Sequence, residues 1–169
     1  MIIRQEKLND RQEIYQLIQA AFATAKYSDG NEQDLVVALR NSNSFIPELS
    51  LVAEINNQLV GHILFPKAQI GKEKILVLAP LSVKPQYQKQ GIGKALIKEG
   101  HRIAKNLGYS YSIVLGSQFY YPKFGYIQAK KLGINPPKGI PSDNFMAFKL
   151  QKNAKAIQGN VIYPKEFGL

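Results

Sequence analysis

Apolar residues recur along this chain in two rhythms. Ile14, Leu17, Ile18, Ala21 and Phe22 fall three and four positions apart, the spacing of one buried helix face. Asn9 and Asp10 stand where caps belong, and Asp10 with Glu13 has the spacing of a capping box, so a first helix is expected to start there after a short strand at Ile2 and Ile3. Ser28-Asp29-Gly30-Asn31 interrupts the pattern. Leu35, Ala38 and Leu39 then support a second helix over residues 32–40, followed by a loop at 41–47. Residues 49–55 and 59–65 read as two strands joined at Asn56-Asn57, because asparagine tolerates the positive φ that short hairpins require. A third strand is expected over residues 74–83, after a turn at Gly71-Lys72, which would complete an antiparallel meander.

The helical rhythm returns over residues 91–107, where Ile92, Ala95, Leu96, Gly100, Ile103, Ala104 and Leu107 form one stripe. Lys94, Lys98, Arg102 and Lys105 lie outside it, His101 is expected at the surface with them, and Gly108 closes the helix. Residues 111–115 are the next strand, and a right-handed crossover would place it parallel to the strand ending at Val83. Beyond lie a helical turn near 118–123, a strand after Gly125, a Pro/Gly loop at 133–141 and a strand at 144–150. Scattered apolar residues, Ile157, Val161, Ile162, Tyr163 and Phe167, predict that the tail packs back on the body. The length of 169 residues fits one domain spanning the whole chain.

Composition removes several function classes. There is no cysteine, hence no disulfide framework, thiolate metal site or cysteine nucleophile, and two histidines leave little for a metal centre, so none is expected. No apolar run reaches the roughly eighteen residues of a membrane span, and the beginning lacks a secretory layout; a soluble, cytoplasmic protein without a membrane partner is expected. The net charge of +10 is uneven: residues 1–85 carry nine Lys/Arg against nine Asp/Glu, whereas residues 86–169 carry thirteen against three. A basic second half attracts an anionic partner, whether nucleic acid, an acidic surface or a phosphate-rich small molecule.

The strand expected to end at Val83 runs through Lys84-Pro85-Gln86-Tyr87-Gln88-Lys89-Gln90-Gly91-Ile92-Gly93-Lys94 into the helix. Such a turn binds anions, because the first N–H groups of a helix lack internal partners and glycine lets a phosphate approach the main chain. A dinucleotide fingerprint would need glycine at Leu96, and a phosphate-binding P-loop would need glycine at Gln88 and Ser/Thr at Ala95. Both fail. The pattern present is Gln-x-x-Gly-x-Gly, formed by Gln88, Gly91 and Gly93, and Tyr121 with Gly125 supplies a downstream Tyr-x-x-x-Gly-aromatic element. With the strand before and the helix after, the chain resembles the GNAT N-acetyltransferase superfamily over residues 49–150, and residues 156–163 resemble the ending of a bacterial subgroup of predicted acetyltransferases.

The resemblance implies a mixed α/β fold: a central, mostly antiparallel sheet, helices on both faces, and a parallel pair splayed where acetyl-CoA lies. It implies an acyltransferase that carries an acetyl group to a primary amine of a small molecule or protein. Main-chain groups of Leu81 and Val83 would hold the pantetheine arm, with Ser82 between them turned to the opposite side. The coenzyme diphosphate would rest on the turn formed by Gln88, Lys89, Gln90, Gly91, Ile92, Gly93 and Lys94, with the Lys89 and Lys94 ammonium groups adding charge. Tyr121 matches the family's tyrosine and is the candidate general acid, since a phenol near pKa ~10 can protonate a thiolate. Tyr120 is expected to pack or to line the substrate pocket. Glu54 and His62, on the hairpin strands, are the base candidates, each provided that its side chain faces the cleft. Alternatives are a non-catalytic coenzyme A-binding module and a basic nucleic-acid-binding domain using Tyr109, Tyr111, Tyr120, Tyr121 and Tyr126, although no nucleic-acid motif accompanies them. A monomer and a homodimer are both compatible with the sequence.

Overall fold

Both asparagines of the Asn56-Asn57 pair adopt positive φ, 50° and 64°, so the turn follows the twist of the strands it joins. In the computed structural model, which describes residues 1–169, the chain runs through β1 (Ile2–Gln5), α1 (Arg11–Phe22), α2 (Glu32–Arg40), β2 (Ser50–Ile55), β3 (Gln58–Leu64), β4 (Lys67–Ile70), β5 (Glu73–Val77) and β6 (Leu81–Val83). It continues with α3 (Ile92–Asn106), β7 (Tyr111–Leu115), β8 (Ile127–Gln128), β9 (Ile134–Asn135), β10 (Phe145–Lys149) and β11 (Gly159–Ile162). One sheet has the order β1-β2-β3-β6, and the other β8-β10-β7-β5-β4-β11-β9. All pairs are antiparallel except β5 with β7 and β9 with β11. No helix is long and apolar enough to cross a membrane.

Three expectations are corrected. The strand predicted over residues 74–83 is two strands in different sheets, β5 and β6, separated by Leu78, Ala79 and Pro80. The parallel partner of β7 is accordingly β5, with Leu76 opposite Ser112 and Val77 opposite Ile113, and not the segment ending at Val83. A strand that the hydrophobic pattern did not reveal, β4, pairs with β5 beyond Phe65-Pro66. The two sheets remain joined at this crossing, where Leu64 N–H donates to the Pro80 carbonyl at 3.2 Å, Ala79 N–H to Leu64 at 3.0 Å and Val77 N–H to Pro66 at 3.0 Å. The capping box also resolves differently. Asp10 accepts the Lys7 N–H at 2.7 Å, while Glu13 reaches across to the Leu59 N–H at 3.1 Å and ties α1 to the start of β3.

Helices lie on both faces. Ile14, Leu17 and Ile18 of α1 and Val36 and Leu39 of α2 are buried with Val52, Leu59 and Leu64. On the other face, α3 buries Ile92, Leu96, Ile97 and Ala104 against Leu51, Ile63, Phe65, Leu76 and Val114, each large side chain contributing roughly 1.5–3 kcal/mol. Gly100 is where α3 presses on Phe65: an added Cβ would collide with the ring. The tail does pack back, with β11 paired to β4 and Tyr163 and Phe167 against the core.

Candidate active site

The crossing of the two sheets opens a gap. Leu78 N–H donates to the Ile113 carbonyl at 2.8 Å, the last bond holding this segment to β7. β6 then pairs only with β3, whereas β7 continues with β10. Lys84 N–H donates to Val60 at 2.9 Å, so by antiparallel alternation Ser82 exchanges bonds with its partner His62, and Leu81 and Val83 direct their main-chain groups to the free edge. Leu81 and Val83 line a cleft there, and Ser82 does not; its hydroxyl is buried without a partner on the other side of the strand.

The far wall of that cleft is the start of α3. Lys89 and Gly91 both take left-handed backbone, φ 62° and 85°. For a lysine this conformation costs roughly 1–2 kcal/mol, and turns of this kind form anion-binding concavities of main-chain N–H groups. None of the N–H groups of residues 89–94 donates to another protein atom, and the first helical bond reaching back to this turn is Ala95 N–H to Gly91 at 3.0 Å. A side chain at Gly91 would meet nothing within 4 Å, whereas one at Gly93 would strike the Tyr120 hydroxyl. The cleft encloses about 580 Å³ and includes Gln88, Lys89, Gly91, Ile92, Gly93, Lys94 and Lys123 in its lining, with no acidic residue among them. Two glutamines of the turn work inside the protein: Gln88 Nε2 donates to the Val83 carbonyl at 3.1 Å and Gln90 Nε2 to Gln86 at 3.3 Å. Of the turn residues named from sequence, only Gln90 stands outside the lining.

Tyr121 and Tyr120 close the cleft together with Phe124. Their rings meet edge to face at 5.1 Å, and Tyr121 also stands against Tyr126 at 5.7 Å. Neither hydroxyl has a hydrogen-bond partner within the protein. Burial, assisted by the neighbouring Tyr120, pushes the Tyr121 phenol well above its ordinary range, and burial raises Tyr120 too. A phenol so placed keeps its proton at neutral pH, and no protein atom competes for it. The approach of Tyr121 requires Gly116, where a Cβ would collide with its ring. Tyr120, Lys123 and Phe124 were not among the residues assigned to the coenzyme from sequence; they sit beside Tyr121 in chain order but reach the α3 turn only through tertiary packing.

The two base candidates lie elsewhere. Glu54 is paired with Arg4 at 2.9 Å at the β1–β2 edge. His62 is completely buried, with Nε2 3.1 Å from Ser50 Oγ and 3.7 Å from Glu6. Burial lowers the His62 pKa against the pull of Glu6. Burial would raise Glu6, but hydrogen bonding from His62 and Ser50 and the charge of Arg40, 2.9 Å away, bring it down to about 2. Neither Glu54 nor His62 lines the cleft.

His101 corrects the surface expectation. It stacks on Phe148 at 4.1 Å, and its Nε2 lies 2.9 Å from the Tyr126 hydroxyl, which also bonds Ser112 at 2.8 Å. Burial lowers its pKa from 6.5 to about 4. The unfolded chain therefore takes up this proton first on acidification: the stability contribution is complete above pH 6.5 and is lost as pH falls toward 4, by about 3 kcal/mol in all. Thermal melts are expected to show this decline in the wild type, and His101→Leu should make it shallower between those pH values, the part due to buried His62 remaining.

The geometry thus places a polar strand edge, a cradle of free N–H groups, three lysines and a protonated phenol around one cleft. The model of the acetyltransferase (GNAT) family matches residues 11–126. The chain is 35% identical over 133 residues to the uncharacterized N-acetyltransferase YjhQ of Escherichia coli strain K12, a match covering 76% of this chain and 74% of the relative. Its fold superposes with a TM-score of 0.81 on a GNAT family acetyltransferase from Brucella melitensis, crystallised in complex with acetyl-CoA, at 33% identity over 98% of this chain and 97% of that one. With YhbS from Escherichia coli, crystallised in complex with CoA, the TM-score is 0.89 at 26% identity over 99% and 92% of the two chains. Family model, relatives and fold agree with the cleft, and the chain belongs to the GNAT acetyltransferase family.

Proposed function

We propose that the chain, acting as one domain, is an acetyl-CoA-dependent N-acetyltransferase whose acceptor is a primary amine. The observation that carries this reading is the run of unpartnered N–H groups over residues 89–94, opening on the same cleft as the free edge of β6. A diphosphate fits such a cradle: the helix start is electropositive, and Gly91 leaves its approach open. Lys89, Lys94 and Lys123 add charge-assisted donors. Leu81 and Val83 hold the pantetheine arm as a neighbouring strand would, with the Val83 N–H as its main-chain donor while Gln88 occupies the Val83 carbonyl.

Acetyl-CoA supplies an activated thioester carbonyl. Tyr121, kept protonated by burial, holds the proton that a departing thiolate needs. The bound acetyl-CoA and CoA of the Brucella and Escherichia relatives support the choice of coenzyme. Release of free thiol from acetyl-CoA, followed across a panel of primary amines, tests the reading. Saturable release with at least one amine is expected. No release with any amine, together with no heat on calorimetric titration of acetyl-CoA, would end it.

A further inference from the structure

Tyr121 has no hydrogen bond of its own within the protein, so its ring is placed by what it touches. It lies against Gly116, and it meets Tyr120 edge to face at 5.1 Å and Tyr126 at 5.7 Å. Tyr120 is itself part of the open cleft wall. Tyr126 is 1% exposed and lines no part of the cleft. The chain reverses at Gly125, φ 95°, whose N–H donates to the Pro122 carbonyl at 3.1 Å, and the reversal brings residue 126 back against residue 121.

Unlike Tyr121, Tyr126 is pinned. Its hydroxyl lies 2.9 Å from His101 Nε2 on α3 and 2.8 Å from Ser112 Oγ on β7. A phenol oxygen gives one hydrogen bond and receives another. With either tautomer of a neutral His101 both contacts are therefore satisfied, Tyr126 giving to one neighbour and receiving from the other. Stacking on Phe148 of β10 at 4.1 Å fixes the imidazole in turn. Burial of this imidazole is costly, as its lowered pKa records, and two apolar side chains would fill the same space without that cost. What the polar arrangement adds is orientation: a ring held by apolar contacts alone can settle at several angles, whereas hydrogen bonds from two different elements admit one.

The helix that supplies His101 also carries the coenzyme cradle at its start, Gly91 to Lys94, about two turns before His101. One rigid element thus sets both the diphosphate site and the backstop of Tyr121. We infer that His101 and Ser112, acting through Tyr126, are positioning residues that fix where the Tyr121 hydroxyl stands relative to the thioester, an inference that rests on the reading of Tyr121 as the acid. None of the three lines the cleft, and the proton still leaves from Tyr121.

Tyr126→Phe keeps the ring and removes the hydroxyl. With acetyl-CoA and an amine that supports turnover, it should lower kcat about 10- to 100-fold, the cost of misplacing a reacting group by about 1 Å, and leave KM for acetyl-CoA within about threefold. His101→Leu should do the same, and the two variants, on separate elements, guard against one failing to fold. His101→Gln, whose amide reaches the place of Nε2, should restore most of the rate. In a Tyr121→Phe background Tyr126→Phe should cost nothing further, because the hydroxyl it positions is gone. Losses that multiply in the double variant, or a His101→Gln as slow as His101→Leu, overturn the inference. NMR of the tyrosine rings decides it without turnover. The signals assigned to Tyr121 by their loss in Tyr121→Phe should shift or broaden in Tyr126→Phe and in His101→Leu, while those of the exposed Tyr27 stay in place. Unchanged Tyr121 signals in both variants overturn the inference whatever the rates. Displaced Tyr121 signals in a protein that releases no thiol from acetyl-CoA would keep the pinning of Tyr121 and remove the acetyltransferase reading instead.

Discussion

Saturating acetyl-CoA is expected to raise the melting temperature by roughly 5–10 °C, and Gly91→Val is expected to remove most of that rise. A ligand at about one hundred times its Kd adds about 2.7 kcal/mol to the folded state, and a chain of this size gains roughly 2–4 °C per kcal/mol. The substitution acts at two levels. Gly91 has φ 85°, so any side chain strains the backbone that presents the N–H groups. The space beside Gly91 is also free of protein atoms within 4 Å, so a valine meets no neighbour in the body and instead stands over the helix start, where the diphosphate would sit. Gly71 provides the control. It has φ 58° and equally open surroundings, but lies at the β4–β5 turn, so Gly71→Val should lower the melting temperature by a similar amount and keep the full acetyl-CoA rise. Equal rises in both variants would mean that the coenzyme does not use the α3 turn.

The parts of this site that were legible in the sequence are those set by local chemistry. The Asn56-Asn57 turn and most of the stripe of α3 each follow from a few adjacent residues and are observed, although Leu107, at the end of that stripe, is exposed. The division of residues 74–83 was not legible for a physical reason. Leu76, Val77 and Leu78 are all buried, and a strand covered on both faces shows no alternation from which a change of sheet can be read. The gap between β6 and β7 depends on that change, so its position became visible only in three dimensions. His101 follows the same logic: Lys98, Arg102 and Lys105 made its part of the helix look polar, but Phe148 and Tyr126, distant in sequence, cover it.

Replacing Tyr121 by phenylalanine should lower kcat about 10²- to 10⁴-fold, the range for losing a general acid, while the affinity for acetyl-CoA stays within a few-fold. The ring supplies the packing against Gly116, Tyr120 and Tyr126, and phenylalanine keeps that ring. Only the hydroxyl leaves, and it has no partner within the protein, so the folded state loses no internal hydrogen bond. A fall in coenzyme affinity equal to the fall in rate would mark the tyrosine as a wall of the cleft and not its acid. Tyr120→Phe separates the two neighbours. The Tyr120 hydroxyl lies over Gly93 at the first turn of α3, beside the diphosphate cradle, so its removal should act on coenzyme affinity more than on kcat. Because burial raises the Tyr121 phenol, the wild-type kcat should show no alkaline loss from this group up to about pH 10, the ordinary phenol value. A limb appearing well below that pH, and absent in Tyr121→Phe, would place the proton under a different electrostatic control than burial provides.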